Sequence, residues 1–211
     1  MRRLMIVLAA AVWLSASAAY ATCAPPKVEY REQQINGRPV LSSIPVAQRG
    51  VVYLFHGSGG SERFAQRRET ICALEPLLQR GYAVVASQSG SRGDPARWRV
   101  DTAGAGVNPD VDYMLGLHRL LVSRGDIAAS TPVYAMGMSN GAAFATVFGI
   151  SAQAAGLPVV AIANYMGNLP PSALALIPRP ADLPPLFLVQ AEYDGLVNAQ
   201  RVSVVARRLQ D

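Results

Sequence analysis

The sequence contains only two cysteines and two histidines among its 211 residues. The spacing of Cys23 and Cys72 matches no metal-binding pattern, so neither a metal nor another cofactor is expected. Charged residues make up only 16% of the chain, and the arginines are scattered and not interleaved with aromatic residues. Nucleic acid is therefore not expected as a partner, because it would require a concentrated basic surface.

Long apolar runs are also scarce. The run from Leu4 to Leu14 follows Arg2 and Arg3 and precedes the small-residue site at 19–21. This run is too short to span a bilayer, and the pattern is typical of a secretory signal peptide. We therefore expect residues 1–21 to be removed, which leaves one domain from 22 to 211 that is secreted or periplasmic and not bound to a membrane. The sequence does not indicate the oligomeric state.

Export determines whether the two cysteines can form a disulfide. An oxidising compartment allows Cys23 and Cys72 to form one disulfide, which would tie the mature N-terminus to a helix. The alternative is two unpaired thiols, with Cys72 simply buried.

Continuous apolar runs alternate with segments of helical spacing. The runs at 51–55, 82–87, 132–137, 158–164 and 185–190 are typical of strands that are covered on both faces. Helices are predicted at 62–79, from 109 to just before 125, at 139–154 and at 199–210, with a short helix or lid at 172–177. Asn36-Gly37 predicts a hairpin that joins strands at 28–34 and 39–44. The alternation predicts an α/β fold: a mostly parallel sheet with helices on both faces and an antiparallel hairpin at the start.

Two short motifs follow predicted strands. The first is Gly-Met-Ser-Asn-Gly at 137–141, a G-x-S-x-G pattern between a strand and a helix. A nucleophile elbow needs this order, because its turn exposes a serine in a strained conformation. The second motif is His-Gly-Ser-Gly-Gly at 56–60, about eighty residues earlier.

Together the two motifs resemble the α/β-hydrolase family over nearly the whole mature chain. Within that family they look most like the secreted esterases grouped with polyhydroxybutyrate depolymerases, feruloyl esterases and dienelactone-hydrolase-like proteins. The resemblance implies that Ser139 is the nucleophile and that the backbone N–H groups of Asn140 and Ser58 form the oxyanion hole. Gly57 or Gly59 is the alternative donor to Ser58, and the simplest alternative is that residues 56–60 are an ordinary turn.

The resemblance also implies a carboxylate after a later strand. Asp194 lies where the family places this acid, and Glu192 is the second candidate. A solvated acid before a helix is the alternative interpretation of Asp194. The competing position, after Asn164, offers no carboxylate.

The general base has no candidate of comparable quality. In this family the histidine follows the acid, but no histidine follows Asp194. His56 belongs to the oxyanion loop, where a structural role is usual, and His118 lies within a helix on the flank of the sheet. We therefore expect either a hydrolase truncated at its C-terminus or a protein without its general base. Truncation is favoured, with the last strand and the catalytic loop missing.

The loop at 89–107 is expected to line the mouth of the site. Trp98 can stack on an aromatic or sugar ring of a substrate, and Arg92, Arg97 and Arg99 can hold a carboxylate. The alternative is a solvated loop whose tryptophan packs on the domain. The predicted activity is cleavage of small-molecule or polymeric esters through an acyl-enzyme. A non-catalytic periplasmic binding protein and acyl transfer to an alcohol are the competing functions.

Overall fold

A computed structural model describes residues 28–91, 93–102, 104–167 and 183–190. Within these ranges seven strands form a single sheet in the order β1-β2-β4-β3-β5-β6-β7. The strands are β1 (Arg31–Ile35), β2 (Arg38–Ser43), β3 (Gly50–Phe55), β4 (Tyr82–Ser87), β5 (Val133–Met138), β6 (Val159–Tyr165) and β7 (Leu186–Val189). The helices are a 3₁₀-helix (Glu62–Gln66), α1 (Arg68–Gln79), α2 (Pro109–Ser123) and α3 (Asn140–Ala154).

The predicted hairpin and parallel sheet are both confirmed. Strands β1 and β2 are antiparallel, and β2 pairs antiparallel with β4. Their turn places Asn36 at φ 48° and Gly37 at φ 77°, the left-handed pair that a tight hairpin needs. The remaining pairs, from β4 through β3, β5 and β6 to β7, are parallel.

Helices cover both faces of the sheet, as the continuous apolar runs predicted. In β3, Tyr53 and Phe55 pack against residues of α2 and α3, whereas Val52 and Leu54 face the 3₁₀-helix and α1. All six residues of β3 are buried. The centre of the sheet is therefore a rigid two-sided core, and its strand ends are fixed in position.

The predicted helix at 62–79 is in fact two helices. Ser61 caps the 3₁₀-helix by accepting a hydrogen bond from the Arg63 N–H, and the chain then becomes extended at Arg67, with φ −70° and ψ 142°. The change of direction lets Ala65 and Leu74, one from each helix, pack on the same face of the sheet. Apolar spacing does not reveal this break, because the apolar pattern continues across it.

Cys72 in α1 is disulfide-bonded, which agrees with the predicted use of the two cysteines. The other cysteine of the chain, Cys23, lies outside the described residues, as do the predicted signal peptide, the segment 172–177 and the helix 199–210. Among the described helices, none has the length and apolarity needed to cross a membrane.

Asp110, in the first turn of α2, organises the long loop that precedes this helix. Its side chain is buried and accepts hydrogen bonds from the Arg38 guanidinium at 2.6 Å and from the N–H groups of Gly90 and Arg99, each at 2.8 Å. One carboxylate therefore fixes both ends of the segment 90–99 and neutralises a nearly buried arginine.

We expect Asp110→Asn to destabilise the fold by about 3 kcal/mol. An amide presents one acceptor oxygen where the carboxylate presents two, and Arg38 loses its counter-charge in a buried site. Urea unfolding measures the change. The matched control is Asp101→Asn, because Asp101 pairs with Arg99 at 2.9 Å on an exposed surface and should contribute less than about 0.5 kcal/mol. Equal effects of the two substitutions would contradict the role given to Asp110.

Candidate active site

The crevice between β3 and β5 is where the topology favours a binding site. The chain leaves β3 toward β4 on one side and leaves β5 toward β6 on the other side. Ligands of open α/β sheets bind where neighbouring connections diverge in this way, at the carboxyl ends of the strands. Phe55 and Gly137 are register partners at these ends, so the segments that follow β3 and β5 begin side by side.

Ser139 occupies a sharp turn between β5 and α3, as predicted. Its backbone has φ 56° and ψ −122°, a strained conformation for a residue with a side chain. The Ser139 N–H donates to the Tyr165 carbonyl at 2.9 Å, which anchors the turn to the end of β6. Ser139 is half-buried as a whole residue.

The two glycines of the G-x-S-x-G motif are required by close backbone contacts. A Cβ on Gly137 would collide with the Gly141 carbonyl, and a Cβ on Gly141 would collide with the carbonyls of Phe55 and His56. Neighbouring backbone therefore occupies the space that any side chain would need. This contact packs the first turn of α3 directly against the end of β3.

The loop 56–60 lies against the turn at Ser139. A Cβ on Gly57 would be 3.4 Å from both the Met138 carbonyl oxygen and the Ser139 Cβ. The Gly59 N–H donates to the Ala96 carbonyl at 2.8 Å, so it is not free to bind a substrate oxygen. Within the described residues, no acceptor is bonded to the N–H of Ser58 or of Asn140. The N–H of Gly57 is likewise without an acceptor in this part of the chain, so Gly57, Ser58 and Asn140 remain available for an oxyanion among the donors considered from the sequence.

His56 has a structural role in this loop. Its ring is buried, and Nε2 accepts a hydrogen bond from the Ser89 N–H at 3.1 Å. The proton therefore lies on Nδ1, which donates to the Gly57 carbonyl at 2.7 Å. Burial lowers the pKa of His56, which keeps the ring neutral. With both nitrogens engaged, His56 shapes the loop and has no nitrogen left for proton transfer.

His118 lies far from Ser139. It is buried in α2, and its Nδ1 is 2.9 Å from the hydroxyl of Tyr53. Tyr53 pairs with Ala135, four residues before Ser139, which corresponds to about 13 Å along the strand. Burial, with a smaller contribution from Arg119, lowers the pKa of His118. His118 is therefore buried against the sheet and away from Ser139, in a helix on the flank of the sheet as predicted.

The prediction that Trp98 stacks on a substrate is wrong. Trp98 is only 2% exposed, and its ring stacks on Phe144 of α3 at a centroid distance of 4.6 Å. The edge of Phe55 packs 5.1 Å away, and the indole N–H donates to the His56 carbonyl at 3.1 Å. The indole therefore belongs to the core, because a large apolar ring gains more from burial than from exposure in a loop. Of the arginines in this loop, Arg97 and Arg99 are exposed, and Arg92 lies outside the described residues.

Asp194 and Glu192, the candidate acids, lie outside the described residues. Asn164, at the competing position, is buried and acts within the scaffold. Its side chain donates to the Ala142 carbonyl at 3.1 Å and accepts from the Gly167 N–H at 3.0 Å.

The sequence did not predict one contact beside Ser139, that of the Asn140 side chain with Trp98. Its Oδ1 accepts from the Trp98 N–H at 2.8 Å, and its Nδ2 donates to the Trp98 carbonyl at 3.2 Å. The motif marked Asn140 only as a backbone donor. Its partner is 42 residues away in the sequence, so no local signal points to the contact.

Comparison with known proteins extends the structural result. No family model matches the chain, and no curated protein sequence matches it. A bacterial heroin esterase matches with a TM-score of 0.61 and 18% identity, over 95% of this chain and 77% of that chain. An α/β serine hydrolase homologue from Coxiella burnetii matches with a TM-score of 0.59 and 17% identity, over 87% of this chain and 83% of that chain. An acetyl xylan esterase from Aspergillus awamori matches with a TM-score of 0.52 and 15% identity. The match covers 67% of this chain and only 53% of that enzyme.

These similarities define the class of structure to which the chain belongs. The sheet order, the antiparallel hairpin and the helices on both faces are those of the α/β-hydrolase fold. At identities of 14–21% the solved structures establish the fold alone. The chemistry must be argued from the site itself.

We expect Gly141→Ala to destabilise the protein by about 2 kcal/mol or more, because the new Cβ meets backbone carbonyls that cannot rotate away. Gly116→Ala in α2 is the matched control. The nearest atom to its added Cβ is Arg119 Nη2, 3.9 Å away. This substitution should therefore raise the free energy of unfolding by about 0.5–1 kcal/mol, because alanine favours the helix more than glycine does. Thermal unfolding of both variants tests the close contact, which a tolerated Gly141→Ala would disprove.

The two histidines predict a pH dependence of stability. Both have a folded-state pKa below the ordinary value of about 6.5, so the unfolded chain binds more protons as the pH falls. The free energy of unfolding should therefore fall between pH 7.5 and pH 5.5. His118→Gln keeps an acceptor for Tyr53 and should reduce this slope, measured by urea unfolding at each pH. An unchanged slope would show that His118 does not contribute.

Proposed function

We propose that this chain is a serine hydrolase that cleaves carboxylic ester bonds through an acyl-enzyme on Ser139. The observation that carries the proposal is the strained backbone of Ser139, at φ 56°, in the crevice between β3 and β5. Strain of this kind in a rigid turn is characteristic of functional positions. The heroin and acetyl xylan esterases that share the fold support an ester as the substrate.

Attack by the Ser139 oxygen on the ester carbonyl forms a new carbon–oxygen bond and places negative charge on the carbonyl oxygen. The N–H groups of Ser58 and Asn140 are the donors proposed to hold this charge. Fixed backbone donors are effective because they need no reorientation as the charge develops. Collapse of the intermediate breaks the bond to the alcohol, which leaves with a proton, and water then releases the acid from Ser139.

A base must accept the Ser139 proton during the first step. His56 and His118 are both bound within the scaffold, so neither fills this role, and Asp194 is the proposed acid that would orient the base. The 211-residue chain therefore has the nucleophile and the oxyanion donors without an imidazole that reaches them.

We also propose that the protein is exported, with residues 1–21 as its signal peptide. The disulfide at Cys72 supports an oxidising compartment. Because Trp98 is buried in the core, exposed Arg97 and Arg99 are the loop side chains proposed to meet a substrate carboxylate. Transfer of the acyl group to an alcohol instead of water would use the same acyl-enzyme.

The 211-residue chain should hydrolyse p-nitrophenyl acetate only slowly. Loss of one member of a catalytic triad leaves an acceleration of about 10³–10⁴ over water, from the oxyanion hole and binding. Added imidazole should raise the rate in a saturable manner, because it supplies the missing base. The measurement compares the chain with Ser139→Ala, which corrects for direct hydrolysis by imidazole.

Two results would contradict the proposal. Identical rates for the chain and for Ser139→Ala, with and without imidazole, would favour a non-catalytic binding protein. Fast turnover that depends on Ser139 without added imidazole would mean that a group other than the two histidines serves as the base.

A further inference from the structure

We infer that the Asn140 side chain is a positioning residue. Through the segment 96–98 it holds the two proposed oxyanion donors, the N–H groups of Ser58 and Asn140, in fixed positions relative to each other. This inference rests on the proposed function. It concerns the carboxamide of Asn140, which is distinct from the backbone N–H of the same residue.

The carboxamide forms a two-point contact with one backbone unit. Trp98 donates its N–H to Oδ1 at 2.8 Å, and its carbonyl accepts from Nδ2 at 3.2 Å. Two hydrogen bonds in opposite directions fix both the position and the orientation of Trp98 relative to Asn140. Four residues further along α3, Phe144 stacks on the Trp98 ring, so backbone and ring are held by the same helix face.

The same short segment also holds the loop 56–60. The Ala96 carbonyl accepts from the Gly59 N–H at 2.8 Å, and the Trp98 indole N–H donates to the His56 carbonyl at 3.1 Å. These bonds fix the loop on either side of Ser58. Residues 96–98 therefore connect the loop that carries one proposed donor to the helix start that carries the other.

This connection matters because the two donors belong to different elements. The Ser58 N–H is in the loop after β3, and the Asn140 N–H is at the start of α3. An oxyanion hole works only when its donors are held near their final positions, and a displacement of about 1 Å can cost about 100-fold in rate. The two hydrogen bonds between the Asn140 carboxamide and Trp98, here called the Asn140 clamp, hold the loop 56–60 at a fixed distance from the start of α3.

Amide hydrogen exchange tests the clamp directly. In Asn140→Ala the Gly59 amide should exchange about tenfold faster, because release of Trp98 loosens the bond to Ala96. Ser151→Ala is the matched control: it removes a 2.9 Å hydrogen bond between the same long loop, at Gly104, and the far end of α3. Its Gly59 exchange should stay within about twofold of the unmodified chain. Unchanged Gly59 exchange in Asn140→Ala would overturn the inference.

Asn140→Asp keeps the acceptor for the Trp98 N–H and replaces the donor with an oxygen that faces a carbonyl. If Asn140→Ala does not fold, this variant decides the question by the same Gly59 measurement, with faster exchange expected.

Labelling by an alkyl fluorophosphonate in the presence of imidazole measures the functional consequence. The maximal labelling rate of Ser139 should fall about 10- to 100-fold in Asn140→Ala, whereas the half-saturating concentration should change less than about twofold, because the donors act on the transition state. A merely structural role would not separate these two constants, so equal changes in both would overturn the inference. If Ser139 is not labelled in the unmodified chain, the proposed function fails, and Gly59 exchange still decides whether the clamp exists.

Discussion

The close backbone contact between β3 and the start of α3 is the constraint on which the site depends. Gly141 packs directly on the carbonyls of Phe55 and His56, and Gly137 packs on Gly141. This contact fixes the backbone on both sides of Ser139, whose own conformation is strained at φ 56°. The central strands β3 and β4 stabilise the strained turn, because they are buried on both faces and cannot shift without disrupting the core.

The long loop between β4 and α2 is a rigid support for the site. The carboxylate of Asp110 fixes the loop at Gly90 and Arg99, and Asn108 caps α2 while donating to two carbonyls of the same loop. Residues 96–98 then reach both the loop after β3 and the helix after β5. Buried polar side chains that satisfy several backbone groups give an irregular segment a rigidity that regular secondary structure would otherwise supply.

The fold and the sharp turn at Ser139 were predictable because their signals are local and periodic. Unbroken apolar runs marked the parallel strands, Asn36-Gly37 marked the hairpin, and the two glycines around Ser139 marked the sharp turn. The break at Arg67, the burial of Trp98 and the carboxamide contact of Asn140 were not predictable in this way. Each depends on which surfaces meet after folding. The sequence around Trp98 would be the same whether its ring packed on Phe144 or on a ligand.

The pairing of β3 with β5 has a consequence for how the protein acquires its site. These neighbours in the sheet are separated in the chain by the whole of α1, β4 and α2. Such non-local pairing raises the contact order, and chains of high contact order fold slowly because long loops must close first. The crevice exists only once that closure is complete. The reactivity proposed for Ser139 would therefore report on completed folding, and a chain in which β3 and β5 had not yet paired would be unreactive.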